Sequence, residues 1–141
     1  MNIGDEYTVD VIALSPTGEG IAKHEGKVIF LPLALPEQRV LVQIRKKKKR
    51  CFFGEIKEVL KKSPHEIPAK DASYPAVGGA LLQTLSYEEQ LRWKRQFVID
   101  AFERIGKMEN VTVEDIVGSP QKYEYRNKME FSFGYEEMRT E

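Results

Sequence analysis

Apolar and polar positions alternate through the first 60 residues. Tyr7, Val9, Val11 and Ala13 alternate with polar neighbours, the period-two pattern of a half-buried strand. Gly18 and Gly20 read as turn glycines before a short strand at Ile21-Ala22-Lys23. His24-Glu25-Gly26 then makes a tight turn into Val28-Ile29-Phe30-Leu31. Pro32 and Pro36 bracket a loop, because proline cannot donate to a sheet ladder. Val40, Val42 and Ile44 face one way, with Arg39, Leu41, Gln43 and Arg45 facing the other. A fifth strand carries the alternation through Phe52, Gly54 and Ile56 to about Leu60. Five short strands without a helix signal predict a partly open barrel of the oligonucleotide-binding (OB) type over residues 1–62.

The pattern changes after residue 62. Residues 63–85, with Ser63-Pro64 and Tyr74-Pro75, have turn and extended chemistry and read as a connector. Ser86 and Glu89 form an S-x-x-E capping box. Tyr87, Leu91, Lys94, Val98, Ala101 and Ile105 follow at steps of three and four, and Gly106 stands at the expected C-cap. This predicts an amphipathic helix of about twenty residues whose apolar face is meant for a partner layer. Val111-Thr112-Val113 and Tyr123 to Phe133 read as strands, so residues 86–141 are expected to be part of a central α/β region. The chain stops just past a strand and reads as cut short.

Composition narrows the function. The 141 residues, 41% hydrophobic and 31% charged, have an ordinary globular balance. No apolar run approaches a membrane span and no signal pattern opens the chain, so no membrane partner is expected. Cys51, the single cysteine, excludes an intramolecular disulfide and points to a reducing cytoplasm. The motifs GxxxxGK[ST], HExxH and GxGxxG are missing. His24 and His65 lack ligand spacing, so no metal site is predicted. Trp93 and Arg92, near the helix start, read as packing residues. The net charge of zero conceals an uneven distribution. Residues 1–62 hold 12 cations against 8 carboxylates, and residues 63–141 hold 10 against 14.

Half of the first segment's cations are consecutive: Arg45, Lys46, Lys47, Lys48, Lys49 and Arg50. They fall at the end of one predicted strand and the turn into the next. Such a cluster gives sequence-independent, salt-dependent affinity for nucleic acid through counterion release. Its bland counterpart is a solvated hairpin tip that stops edge-to-edge pairing. Alternation makes Phe52 a core residue and leaves Phe53 to stack a base beside the cations.

Several segments together resemble a known family. Tyr7, Gly18-Glu19-Gly20-Ile21-Ala22, Val28-Ile29-Phe30-Leu31-Pro32 and Ala34-Leu35-Pro36 resemble the TRAM domain, a small RNA-binding barrel. Val77-Gly78-Gly79-Ala80-Leu81-Leu82-Gln83 resembles the Cys-Gly-Gly-Cys-x-x-Gln stretch of RNA uracil-5-methyltransferases, particularly the 23S ribosomal-RNA branch. Ser86-Tyr87-Glu88-Glu89-Gln90-Leu91 with Lys94 looks like that family's helix start, and Tyr125-Arg126-Asn127-Lys128 matches its Tyr-Arg-Asn-Lys motif.

The resemblance implies an N-terminal portion that binds RNA, ribosomal before transfer. It implies S-adenosylmethionine and a catalytic domain elsewhere in the parent protein, and it gives Arg126, Asn127 and Lys128 a part in RNA contact. Arg126 could equally pair with Glu124 or Glu130. Asp71, Val77 and Ala80 stand where the family places cluster cysteines. None is a thiolate, so no iron–sulfur cluster is expected. The family's chemistry needs a thiolate to add to uracil. Cys51, on a strand, is a poor candidate, so no catalytic residue is assigned to this chain. The alternatives are a free-standing TRAM-type RNA-binding protein or RNA chaperone, and a protein-interaction module whose basic hairpin meets an acidic partner.

Overall fold

The computed structural model describes residues 1–75, 81–133 and 138–140, with side chains up to residue 130. The chain divides into two compact units, Met1–Glu66 and Ile67–Glu141.

The first unit is a closed barrel of five strands: β1 (Glu6–Leu14), β2 (Gly20–His24), β3 (Lys27–Leu31), β4 (Arg39–Lys48) and β5 (Cys51–Lys61). The order around the barrel is β1-β2-β3-β5-β4, and β4 returns to β1. All neighbours are antiparallel except β3 and β5, which run parallel with Ile29 opposite Phe52. These are the five expected strands, but the barrel is closed rather than partly open, because β4 pairs with both β1 and β5 and leaves no open edge. Alternation fills the interior with Val9, Val11, Ala22, Ile29, Leu31, Val40, Val42, Ile44 and Phe52, all nearly inaccessible to solvent. The turn between β2 and β3 puts Glu25 at φ 48° and Gly26 at φ 74°, the twist that a two-residue hairpin needs.

Gly20 departs from its expected role. It lies within β2 rather than in a turn, and a Cβ there would stand 2.6 Å from Ala34 Cβ and 2.8 Å from Ala34 O. Glycine is needed for this close approach of the 32–38 loop to the sheet. Gly18, at φ 86°, is the turn glycine.

The second unit begins with the loop 67–85 and continues into α1 (Tyr87–Asp100), which runs into a π-helical turn at Ala101–Ile105. The Ser86 half of the capping box does not form. Ser86 makes no side-chain cap hydrogen bond, and Arg92 holds the Glu89 carboxylate through a bidentate contact. Gly106 is right-handed (φ −70°), and Lys107 takes the left-handed position at φ 54°. Glycine is required at 106 for space, since a Cβ would approach Phe102 O to 2.8 Å.

The strands expected at 111–113 and 123–130 are absent among the described residues. Only Phe131–Phe133 (β6) is a strand, paired antiparallel with Met138–Thr140 (β7). Alternation assigns faces but cannot supply a hydrogen-bonded neighbour, and a strand exists only with one. The carbonyls of Val113 and Glu114 instead accept from the Arg95 guanidinium.

Candidate nucleic-acid interface

The basic run is more ordered than a loop tip. β4 continues through Lys48, so four of the six cations stand on a paired strand, and only Lys49 and Arg50 form the turn into β5. Lys49 takes φ 54°, the left-handed conformation of a tight turn. All six side chains are exposed.

The register sorts them by direction. Ile44 pairs with Gly54 and Lys46 with Phe53, which leaves Arg45 as the extra residue of a bulge. Arg45 Nε donates to Glu55 Oε2 at 2.6 Å, and this guanidinium holds the Glu55 carboxyl below the usual glutamate range. Lys47 lies opposite the buried Phe52, and its ammonium is 5.7 Å from that ring's centroid. Lys27, at the start of β3, reaches the same ring at 5.7 Å. Opposed residues share a face, so Lys46 and Lys48 stand with Phe53 and Cys51 on the outer surface.

Phe53 is half-buried rather than free. Its partner on β3 is Phe30, also half-buried, and the two rings stack at 5.4 Å between centroids and 24° between planes. Beyond Phe30 on β2 lies Ile21, while Lys23 pairs with Val28. The outer face of β2, β3, β5 and β4 therefore carries an aromatic centre, with Lys23 on one flank and Lys46 and Lys48 on the other. Phe30, Lys23 and Lys27 escaped the sequence reading. For Phe30 and Lys23 the signal was parity: with Ile29 and Leu31 inward Phe30 must face out, and with Ala22 inward so must Lys23.

Residues 2–57 match the TRAM domain, which takes in β1 to β4 and all but the last four residues of β5, nearly the whole barrel. Most of the chain also aligns with proteins described as uncharacterised RNA methyltransferases. Identity is 38% over 95% of this chain for one from Clostridium tetani, 36% over 97% for one from Halalkalibacterium halodurans, and 38% over 92% for one from Nitratidesulfovibrio vulgaris. The chain spans only 29%, 30% and 28% of those proteins. The solution structure of a conserved protein from Methanococcus maripaludis, 29% identical, covers 41% of this chain and 83% of its own length at a TM-score of 0.40.

Beyond the barrel, Arg126 and Asn127 are exposed on an extended segment and make no side-chain hydrogen bond or ion pair among the described residues. Both carboxylates considered as partners for Arg126 are engaged elsewhere. Glu124 pairs with Lys70 at 3.2 Å and Glu130 with Lys128 at 2.6 Å.

The loop 67–85 does not fit an iron–sulfur cluster. Asp71 Oδ1 accepts from Ser73 N (2.9 Å) and Ser73 Oγ (2.7 Å), which keeps its carboxyl below the usual aspartate range. Asp71 N in turn donates to Gln83 Oε1 at 2.9 Å. Val77 and Ala80 lie outside the described residues and carry no donor atom. Cys51 is half-buried on β5, and Trp93 packs against Arg92 and Phe97 on α1.

Proposed function

We propose that this chain is the RNA-binding N-terminal portion of an S-adenosylmethionine-dependent RNA uracil-5-methyltransferase, acting on ribosomal RNA in the cytoplasm. The observation that carries the RNA contact is the extension of β4 to Lys48. It holds exposed lysines on a rigid ladder, so each meets phosphate with less of its freedom left to lose. Arg50 and Lys49 extend this contact at the turn, and Arg126, Asn127 and Lys128 add a second one in the other unit. Alignment of nearly the whole chain with under a third of proteins described as RNA methyltransferases supports the enzymatic parent.

Catalysis and the S-adenosylmethionine site belong, in this proposal, to a C-terminal domain of the same polypeptide. Helix α1 offers that domain a surface. Val98, Phe102, Ile105 and Met108 are exposed around an apolar groove of about 500 Å³, which Phe97 and Ala101 complete. Soluble proteins rarely leave so apolar a patch uncovered.

Fluorescence anisotropy with labelled 23S ribosomal RNA fragments and transfer RNA, over a series of salt concentrations, tests the reading. Binding is expected to favour the ribosomal fragments and to weaken linearly in log–log form as salt rises. Calorimetry with S-adenosylmethionine is expected to show no heat of binding. Failure to bind any RNA in dilute buffer overturns the RNA role, and methyl transfer by the isolated chain overturns the division of labour.

Arg45 supplies a sharper check. Its guanidinium is committed to Glu55, so Glu55→Gln should release one more cation to RNA. The log–log salt slope is expected to steepen by about 0.7 to 0.9, with RNA affinity rising several-fold at low salt. Low pH should act in the same direction. The depressed carboxyl of Glu55 keeps the pair intact until pH falls below the ordinary glutamate range, and protonation then frees Arg45.

A further inference from the structure

We infer that the stacked Phe30–Phe53 pair is a seat for an unpaired base, so that this interface takes single-stranded RNA in preference to duplex. The inference rests on the RNA-binding reading above and specifies its substrate class. Two observations carry it. First, the two rings lie on the outer face of the barrel, on the neighbouring strands β3 and β5, with their planes 24° apart and centroids 5.4 Å apart. The interior is already filled by Ile29, Leu31 and Phe52, so these rings are not needed for the core. Second, the ladder register places cations on both flanks of the pair: Lys23 on β2, and Lys46 and Lys48 on β4.

That order suits one form of RNA. A single strand can lay its backbone along a line of lysines and turn a base onto an aromatic surface beside it. A duplex keeps its bases stacked inside and offers phosphates to the lysines, but nothing to the rings. Ile21, Val28 and Cys51 adjoin the rings and carry none of the paired donors and acceptors that read a base edge; Lys46, opposite Phe53, meets phosphate, and Glu55, next along that face, is held by Arg45. Stacking itself tolerates any base, because every base has a π-face.

The experiment compares wild type with Phe30→Leu and Phe53→Leu on an unstructured 8-nucleotide RNA containing 2-aminopurine and on a duplex RNA of equal charge. Leucine keeps the position apolar, and a urea midpoint close to wild type shows that the barrel is retained. Wild type is expected to bind the single strand more tightly and to quench the 2-aminopurine. Each leucine variant is expected to lose about 5- to 100-fold in single-strand affinity and the quenching, while duplex affinity and the salt slope stay unchanged. Equal binding of both RNAs by wild type overturns the inference, as does a folded leucine variant that still binds and quenches. If wild type binds neither RNA, the RNA-binding reading itself fails. Should both leucine variants unfold, Lys46→Ala with Lys48→Ala provides the second arm. Quenching that survives in that variant at saturating RNA supports the platform, and loss of quenching at saturation overturns it.

Discussion

Replacing Lys46, Lys47, Lys48 and Lys49 together with alanine is expected to remove most of the salt dependence of RNA binding. Each cation that meets a phosphate of a single strand contributes about 0.7 to the log–log slope, so four contribute nearly 3. Extrapolated over one decade of salt, from about 1 M to 0.1 M, that difference amounts to a loss of several hundred-fold in affinity. The fold should survive, because all four side chains are exposed and none fills the core. Arg45→Ala alone should do far less, since Glu55 already neutralises that guanidinium. Anisotropy titrations at four or more salt concentrations measure both slopes. An unchanged slope in the quadruple variant would place the RNA-binding surface elsewhere.

The second large effect concerns stability. Ile29 is fully buried, and β3 is the strand that joins β2 on one side and β5 on the other. Ile29→Ala is expected to cost about 2–5 kcal/mol through lost burial and the cavity left behind. A unit of this size has a total stability of roughly 3–10 kcal/mol, so the variant should stand near its unfolding midpoint at ambient temperature. Urea denaturation followed by circular dichroism measures the change. A loss below about 1 kcal/mol would mean that the interior repacks around the missing atoms.

The barrel was legible in the sequence because one rule fixes most of it. Residues 40–44 alternate strictly, one face of each strand is buried, and a one-residue slip would expose Val40, Val42 and Ile44 together. The glycines were harder. Gly20 looks like punctuation, yet its role is to let Ala34 approach from a loop fourteen positions on, and no local pattern reports that contact. The second unit was read less well for the same reason. Residues 111–113 and 123–130 alternate acceptably, but strands need neighbours, and alternation says nothing about where a neighbour comes from. Likewise Ser86 and Glu89 have cap spacing, while Arg92, one helical turn beyond Glu89, competes for the same carboxylate.

Within the candidate interface, the sequence named the cations and Phe53 but treated the run as uniform. The bulge at Arg45 distinguishes its members. It binds Arg45 to Glu55, turns Lys47 toward Phe52, and leaves Lys46 and Lys48 on the outside. Phe30 was hidden inside an apolar run whose neighbours are core residues. Parity alone turns it outward, but only the pairing of β3 with β5 brings it beside Phe53.

That pairing also sets when the barrel can form during synthesis. Tyr7 waits for Val42 on the fourth strand and Ile29 waits for Phe52 on the fifth, so the barrel cannot close until the fifth strand has left the ribosome. A nascent chain arrested before Cys51 should therefore remain sensitive to protease. Release of the segment through Lys61 should give protection in a single step, with RNA affinity arriving at the same moment.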